Sequence, residues 1–381
     1  MTGIDWARIR AEFPALANWT YLDTARKTLP PRCQERAMQE YWRDIGDTAG
    51  ADAWSAENVG ATRVELATLL GAKPGEIAFT KNTTEGLNIA AHAFDLQPGD
   101  NIVLTDMEHV ANIWVWKHWE QKGVEIRLAR NREGRLPTAA FTEQMDARTR
   151  VVSTAYITYG NGYRVDLPAL GAVCRERDIR LVVDGVQAAG VLAAPFSQLG
   201  ADLVAIGGHK NLFGLTGSGL LWCREELVDR LRTPFIKPAE GGAKAKAHVM
   251  SQFDYVRTAH RFEGGNPNFL GLKVLRAGAE FIRGIGLQNI EARVRELTTL
   301  LMGELKKAGL AVNTPDPWAE RAQIVSVQVS DPGSLMQRLR DKHRVVVNVK
   351  DDALRISPGF ANDAGDIERL MAALRREGVA G

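Results

Sequence analysis

The chain has 381 residues, 45% of them hydrophobic and 25% charged, with a formal net charge of +2. That length and composition suit one large domain and a smaller companion around a substantial core. The balance of acids and bases excludes the basic stripe of a nucleic-acid binder and the cationic face of a membrane-surface protein. No run of about 18 apolar residues offers a membrane span.

Residues 1–14 alternate charged and apolar side chains and lack a secretory apolar segment. Cys33, Cys174 and Cys223 lie far apart without metal-ligand spacing, and the seven histidines form no H-E-x-x-H pattern. The expectation is a cytoplasmic protein that holds no metal and acts on a small molecule.

Taken in chain order, short apolar runs at 76–80, 101–105, 124–129, 150–157, 180–184, 202–207 and 218–223 predict seven strands. Apolar residues at helical spacing over 84–94 and 167–177 make the pattern β-α-β, which predicts a mostly parallel sheet. The Gly/Ala/Lys-rich 240–247 predicts a loop that closes over a site. From about residue 284 the pattern becomes a long helical stretch, then strands near 323–329, 345–349 and 354–357 and a helix over 364–375. The expected fold class is α/β, a seven-stranded mostly parallel sheet with a smaller C-terminal α+β domain. The large domain spans 16–283, and the small one comprises 1–15 and 284–381.

Ligands on such sheets bind at the carboxyl ends of the strands, and chemistry-bearing residues gather there. Asp184 ends the run 180–184, with Gln187 three positions on. Alone, this aspartate reads as a helix N-cap; functionally, it is a carboxylate that pairs with a protonated pyridine nitrogen and keeps the ring an electron sink. The run 202–207 leads through Gly207 and Gly208 into His209 and Lys210. A lysine there is usually solvated, but beside a cationic ring its pKa falls and the neutral amine attacks carbonyls.

The run 76–80 leads into Lys81, Asn82, Thr83, Thr84 and Glu85 at a helix start. This position suits a phosphate, with the two threonine hydroxyls as donors, or a plain Thr-x-x-Glu capping box. His109 follows the run 101–105 at a helix mouth, where an imidazole stacks on a planar cofactor or shuttles a proton. Trp114, Trp116 and Trp119 read as helix packing.

The segments DGVQ, GGHK and FTKNTTEGLNIA, together with YLDTA, MEHVANI, NGYRVDL, RFEGGNPNFLGL and LRISPGFANDAGDIERL, cover nearly the whole chain. Together they resemble the class V aminotransferase superfamily of fold-type I enzymes, which depend on pyridoxal 5'-phosphate (PLP). That superfamily includes cysteine desulfurases, kynureninases and the isopenicillin N epimerase group. The resemblance implies that Lys210 forms the internal aldimine, Asp184 holds the pyridine nitrogen, Gln187 contacts the phenolic oxygen and His109 stacks on the ring. It also implies that Thr83, Thr84 and His209 bind the phosphate and that Arg355 holds the substrate carboxylate. A homodimer with a shared site is implied too, with Asn266 reaching the partner's phosphate.

Several positions depart from the family pattern. Gly207 stands where many relatives have a serine that binds the phosphate. The stretch 341–355 lacks the nucleophilic cysteine of cysteine desulfurases, which makes that activity improbable. Arg26 and Lys27 replace small residues in the loop bordering the substrate site, and Arg26 is expected to meet an anionic group on the substrate. Thr158 aligns where relatives place Asn or Gln near the cofactor, and Tyr159 reads either as a general acid or as a strand aromatic.

The residues therefore predict a PLP enzyme acting on the α-amino group of an amino-acid-like substrate, as an aminotransferase or a C–S/β-lyase. An epimerase or racemase of the isopenicillin N epimerase type and a non-catalytic PLP-binding protein are the alternatives. A NAD-binding Rossmann enzyme is disfavoured, because no G-x-G-x-x-G follows the first strand.

Overall fold

In a computed structural model that describes residues 3–235 and 256–379, all seven predicted strands form and join one sheet. They are β1 (Ile77–Thr80), β2 (Asn101–Thr105), β3 (Glu125–Ala129), β4 (Thr149–Ala155), β5 (Arg180–Asp184), β6 (Leu203–Gly207) and β7 (Gly219–Cys223). Their spatial order is β1-β7-β6-β5-β4-β2-β3. Only β7 runs against its neighbours β1 and β6, and the remaining pairs are parallel.

The strands read as apolar runs because both faces of the sheet are covered. Alternate residues serve different cores. Val183, Val204, Ile206 and Trp222 pack in the cluster on one face, whereas Val182, Leu203, Ala205 and Leu221 pack in the cluster on the other.

A third apolar cluster lies around an antiparallel sheet of β8 (Val325–Val327), β9 (Asn348–Lys350) and β10 (Ala353–Ile356), ordered β9-β10-β8. The single strand expected at 345–349 is divided. Val345 and Val346 pair in parallel with Thr20 and Tyr21, whereas Asn348 to Lys350 pair with β10. Chain segment 20–25 thus runs alongside the C-terminal part, with Leu22 N–H donating to Val346 and Thr24 N–H to Ser357. This threading carries Asp23, Ala25 and Arg26 to the edge of the large sheet.

The helical stretch expected from about residue 284 is helix Leu287–Lys307; a further helix, Phe269–Ile285, precedes it, and the two are divided at Gly286, whose φ of 90° favours glycine. The loop expected at 240–247 lies outside the described residues. No helix among the described residues is long and apolar enough to cross a membrane.

Candidate active site

The carboxyl ends of β1, β2, β4, β5 and β6 converge on a cavity of about 270 Å³, and loop 23–26 and the β9–β10 hairpin close it from the other side. Thr83, Thr84, His109, Asp184, Gln187, His209, Lys210, Arg26 and Arg355 all line it, so nine of the ten predicted site residues meet in one place. The tenth, Asn266, lies in a separate cavity of about 220 Å³ beside Lys81 and Phe235.

Asp184 is not a helix cap. No helix follows β5, and one carboxylate oxygen accepts the Val186 N–H at 3.0 Å within a turn. Burial pushes its pKa up, against the opposing pull of Lys210, that hydrogen bond and His109. Lys210 follows the Gly207-Gly208 turn, and its carbonyl is pinned by the Thr28 hydroxyl at 2.6 Å. Burial lowers the Lys210 pKa to about 8; Asp184 opposes this shift, while Arg355 and Lys350 add to it. Its amine therefore loses its proton far more readily than a surface lysine does.

The helix start after β1 is capped by an asparagine and not by a threonine. Asn82 is the N-cap of helix Thr83–Ala93, its side-chain oxygen accepting the Glu85 N–H at 2.9 Å. Both threonine hydroxyls are thereby left free of capping, beside the first N–H groups of the helix, which have no intrahelical acceptors. A Cβ on Gly207 would lie 3.0 Å from Thr83 Oγ1 and 2.9 Å from the His209 ring. The Thr83 hydroxyl thus borders the space that a serine at 207 would fill. His209 is held neutral, its pKa pulled to about 4 by burial and then by Lys210 and Lys27.

His109 caps helix Val110–Lys117, with its Nδ1 accepting the Ala111 N–H at 3.2 Å, and stands edge-on to Tyr159 with ring centroids 5.5 Å apart. Burial lowers its pKa. Gln187 donates from Nε2 to the Ala25 carbonyl at 2.9 Å. Thr158 does not line the cavity; its hydroxyl donates to Asn161 at 2.6 Å, and Ile157 and Tyr159 face the cavity instead. Tyr159 donates to Asp351 at 3.0 Å, and burial and that carboxylate push its pKa up to about 12. It is a weak acid, held by the hairpin.

Arg355 is buried and set by two partners, the Tyr159 carbonyl at 2.9 Å and Asp23 at 3.3 Å. Burial works against the charge of both members of this ion pair, and their mutual attraction offsets it. The Arg355 Nε is buried and has no hydrogen-bond partner among the described residues, a donor close to where a substrate carboxylate is expected.

Four contributors escaped the sequence reading. Asp23 orients Arg355, Lys350 adds a cation to the cavity, and Asp351 anchors Tyr159. Beneath the cavity floor, buried Glu108 accepts hydrogen bonds from Thr105, Asn112 and the Ala155 N–H, at 2.9 Å for each. MEHVANI placed a glutamate beside His109, but only the fold shows that it points inward.

The donor set fits a pyridine ring bearing a phosphate. A buried carboxylate lies at the end of β5, a helix start with free hydroxyls lies at the end of β1, and a lysine of lowered pKa opens into the same cavity. None of the three cysteines lines this cavity. All are buried free thiols, and burial pushes the pKa of Cys33 up to about 11 and that of Cys174 to about 12.

A family model described as Aminotransferase class-V matches residues 20–370. A probable cysteine desulfurase of Xylella fastidiosa (strain Temecula1 / ATCC 700964) is 32% identical, with 98% of this chain and 95% of that protein covered. The cysteine desulfurase of Cronobacter sakazakii is 28% identical, with 97% of each chain covered. Among solved structures, the apo cysteine desulfurase of Thermococcus onnurineus NA1 superimposes with a TM-score of 0.88 at 25% identity, covering 99% of this chain and 98% of that one. These matches overturn the expectation that a cysteine desulfurase is improbable. That expectation rested on one missing residue in 341–355, whereas the likeness to proteins of that name extends over almost the whole chain.

Proposed function

This chain belongs to the class-V aminotransferase family, with the fold-type I architecture and the PLP cofactor of that group, and within it we propose a lyase that cleaves the Cβ–S bond of a cysteine-like amino acid. The observation that carries this reading is the near-full-length similarity to relatives named cysteine desulfurase. An aminotransferase proper is the second reading, favoured by the family description.

When bound, PLP supplies an electron sink for charge developing at the substrate's Cα. The chain's own residues do the rest. Lys210 Nζ would hold the cofactor, and its low pKa suits the amine to taking the substrate's Cα proton. Asp184 would hold the pyridine nitrogen protonated, His109 would cover the ring and Gln187 would meet the phenolic oxygen, while Thr83, Thr84 and His209 would hold the phosphate. Arg355, oriented by Asp23, clamps the α-carboxylate through a planar fork that keeps its charge. The sulfur departs with the electron pair of the Cβ–S bond.

We also propose a homodimer. Asn266 lies away from its own chain's cavity, in keeping with a role at the partner's phosphate. The domain division at 16–283 against 1–15 and 284–381 is proposed on the separate apolar cluster around the three-stranded sheet. Three free buried thiols favour a reducing, cytoplasmic setting.

The purified holoenzyme, given S-substituted cysteines, is expected to release keto acid and the sulfur leaving group repeatedly while the cofactor's visible band recovers. Cofactor that is driven to the pyridoxamine form and waits there for an added keto acid would establish the aminotransferase instead.

A further inference from the structure

The cavity holds cationic side chains to which the proposed function gives no task. Four cationic side chains line it, Arg26, Lys210, Lys350 and Arg355, against one carboxylate, Asp184. In the proposed function Lys210 is committed to the cofactor and Arg355 to the α-carboxylate. Lys350 has no such task, and among the described residues it makes no ion pair, whereas Arg355 meets Asp23 at 3.3 Å.

Its placement is fixed by the hairpin. Lys350 ends β9 just before the two-residue turn of Asp351 and Asp352, whose φ angles of 50° and 56° are those of a tight primed turn. The register pairs Lys350 with Ala353 and Asn348 with Arg355, so Lys350 and Arg355 stand on one face of the ladder as diagonal neighbours. Such neighbours lie roughly 7–8 Å apart at the backbone. The turn has no slack. Asp351 holds the Tyr159 hydroxyl, and a Cβ on Gly160 would lie 2.1 Å from an Asp351 carboxylate oxygen. The positive charge of Lys350 is felt inside the cavity, where it disfavours protonation of both His109 and Lys210.

A rigid hairpin thus presents two cations to one substrate at a spacing that an amino acid with a charged side chain spans. We propose that Lys350 recognises a second anionic group on the substrate's side chain, so that the enzyme's preferred amino acids carry an acidic group beyond the sulfur. Arg26 also lines the cavity and makes no ion pair among the described residues. The proposal rests on the lyase reading for its sulfur and on the cavity alone for its charge.

S-carboxymethylcysteine and S-carbamoylmethylcysteine have the same length and differ in charge, which makes them a matched pair. With the holoenzyme, dissociation constants come from the absorbance change of the bound cofactor, and KM from keto-acid release. The wild type is expected to favour the acid by about tenfold or more, the worth of one charge-assisted hydrogen bond. Lys350→Met is expected to bring that ratio close to one, and Lys350→Arg to restore it. An acid preference that survives in Lys350→Met, or a wild type that binds both analogues equally, overturns the proposal even where keto acid is released. Binding with the expected preference but no keto acid from either analogue leaves the recognition standing and overturns the lyase reading.

Discussion

Burial sets the chemistry of individual residues at this site. Lys210 is drawn down to about pKa 8 and His209 to about 4, while Glu108, below the cavity floor, is pushed up to about 7. The cause at Glu108 is loss of water, with Asp184 adding to it and three hydrogen-bond donors opposing it. Because its folded-state value lies above the ordinary value of 4.5, the folded chain holds this proton more tightly than the unfolded chain does. The stability it contributes is complete below the unfolded value and disappears as pH rises through about 7. The linkage amounts to about 3 kcal/mol. Holoenzyme carrying Glu108→Gln is therefore expected to gain on the wild type by that order between pH 5 and 8 in denaturant unfolding, and parallel pH profiles for the two proteins would contradict this assignment. Lys210, Asp184 and Gln187 were legible in the sequence as cavity residues because each sits in a short motif at or just past a strand end, whereas Arg355, inside β10, was singled out only through the family resemblance. Asp23 and Asp351 were not, because their partners lie far away in sequence, as Tyr159 and Asp351 do at 192 residues apart, and Lys350 was not, because the cavity it lines joins segments distant in sequence.

Among the elements, the seven strands of the large sheet were legible as apolar runs because both of its faces are covered. The strand at 345–349 was not resolved correctly, since its two halves pair with different partners and its apolar run carries no mark of the change. The cap of helix Thr83–Ala93 was displaced by one residue for a related reason: Asn82 and Thr83 are both good caps, and only the backbone turn decides between them. Helix Phe269–Ile285 is tied to the site through Gly278, where a Cβ would lie 2.2 Å from the Leu212 carbonyl oxygen and 3.0 Å from the Phe213 Cβ. These residues closely follow Lys210, so the helix supports the lysine's turn from behind. Gly278→Ala is expected to cost about 1–3 kcal/mol in unfolding free energy and to weaken retention of the cofactor. An unchanged melting temperature together with full cofactor absorbance would show that the contact is slack.

At the scale of the whole molecule, the cavity exists because two parts of the chain distant in sequence meet at one edge of the sheet. The carboxyl ends of five strands line one side of it, while loop 23–26 and the β9–β10 hairpin line the other. The chain's two ends are held together as well, with Arg10 reaching the buried Asp366 at 2.6 Å. The sequence conveyed this assembly only through the family resemblance, since no local pattern tells where residue 23 will lie relative to residue 355. We propose that this assembly makes Lys210 the residue that carries PLP. Its most direct test is borohydride reduction of the PLP-loaded protein followed by peptide mapping by mass spectrometry. A reduced cofactor adduct on the peptide containing Lys210, absent from Lys210→Ala, is the predicted result; an adduct on another lysine, or none on the loaded wild type, would contradict it.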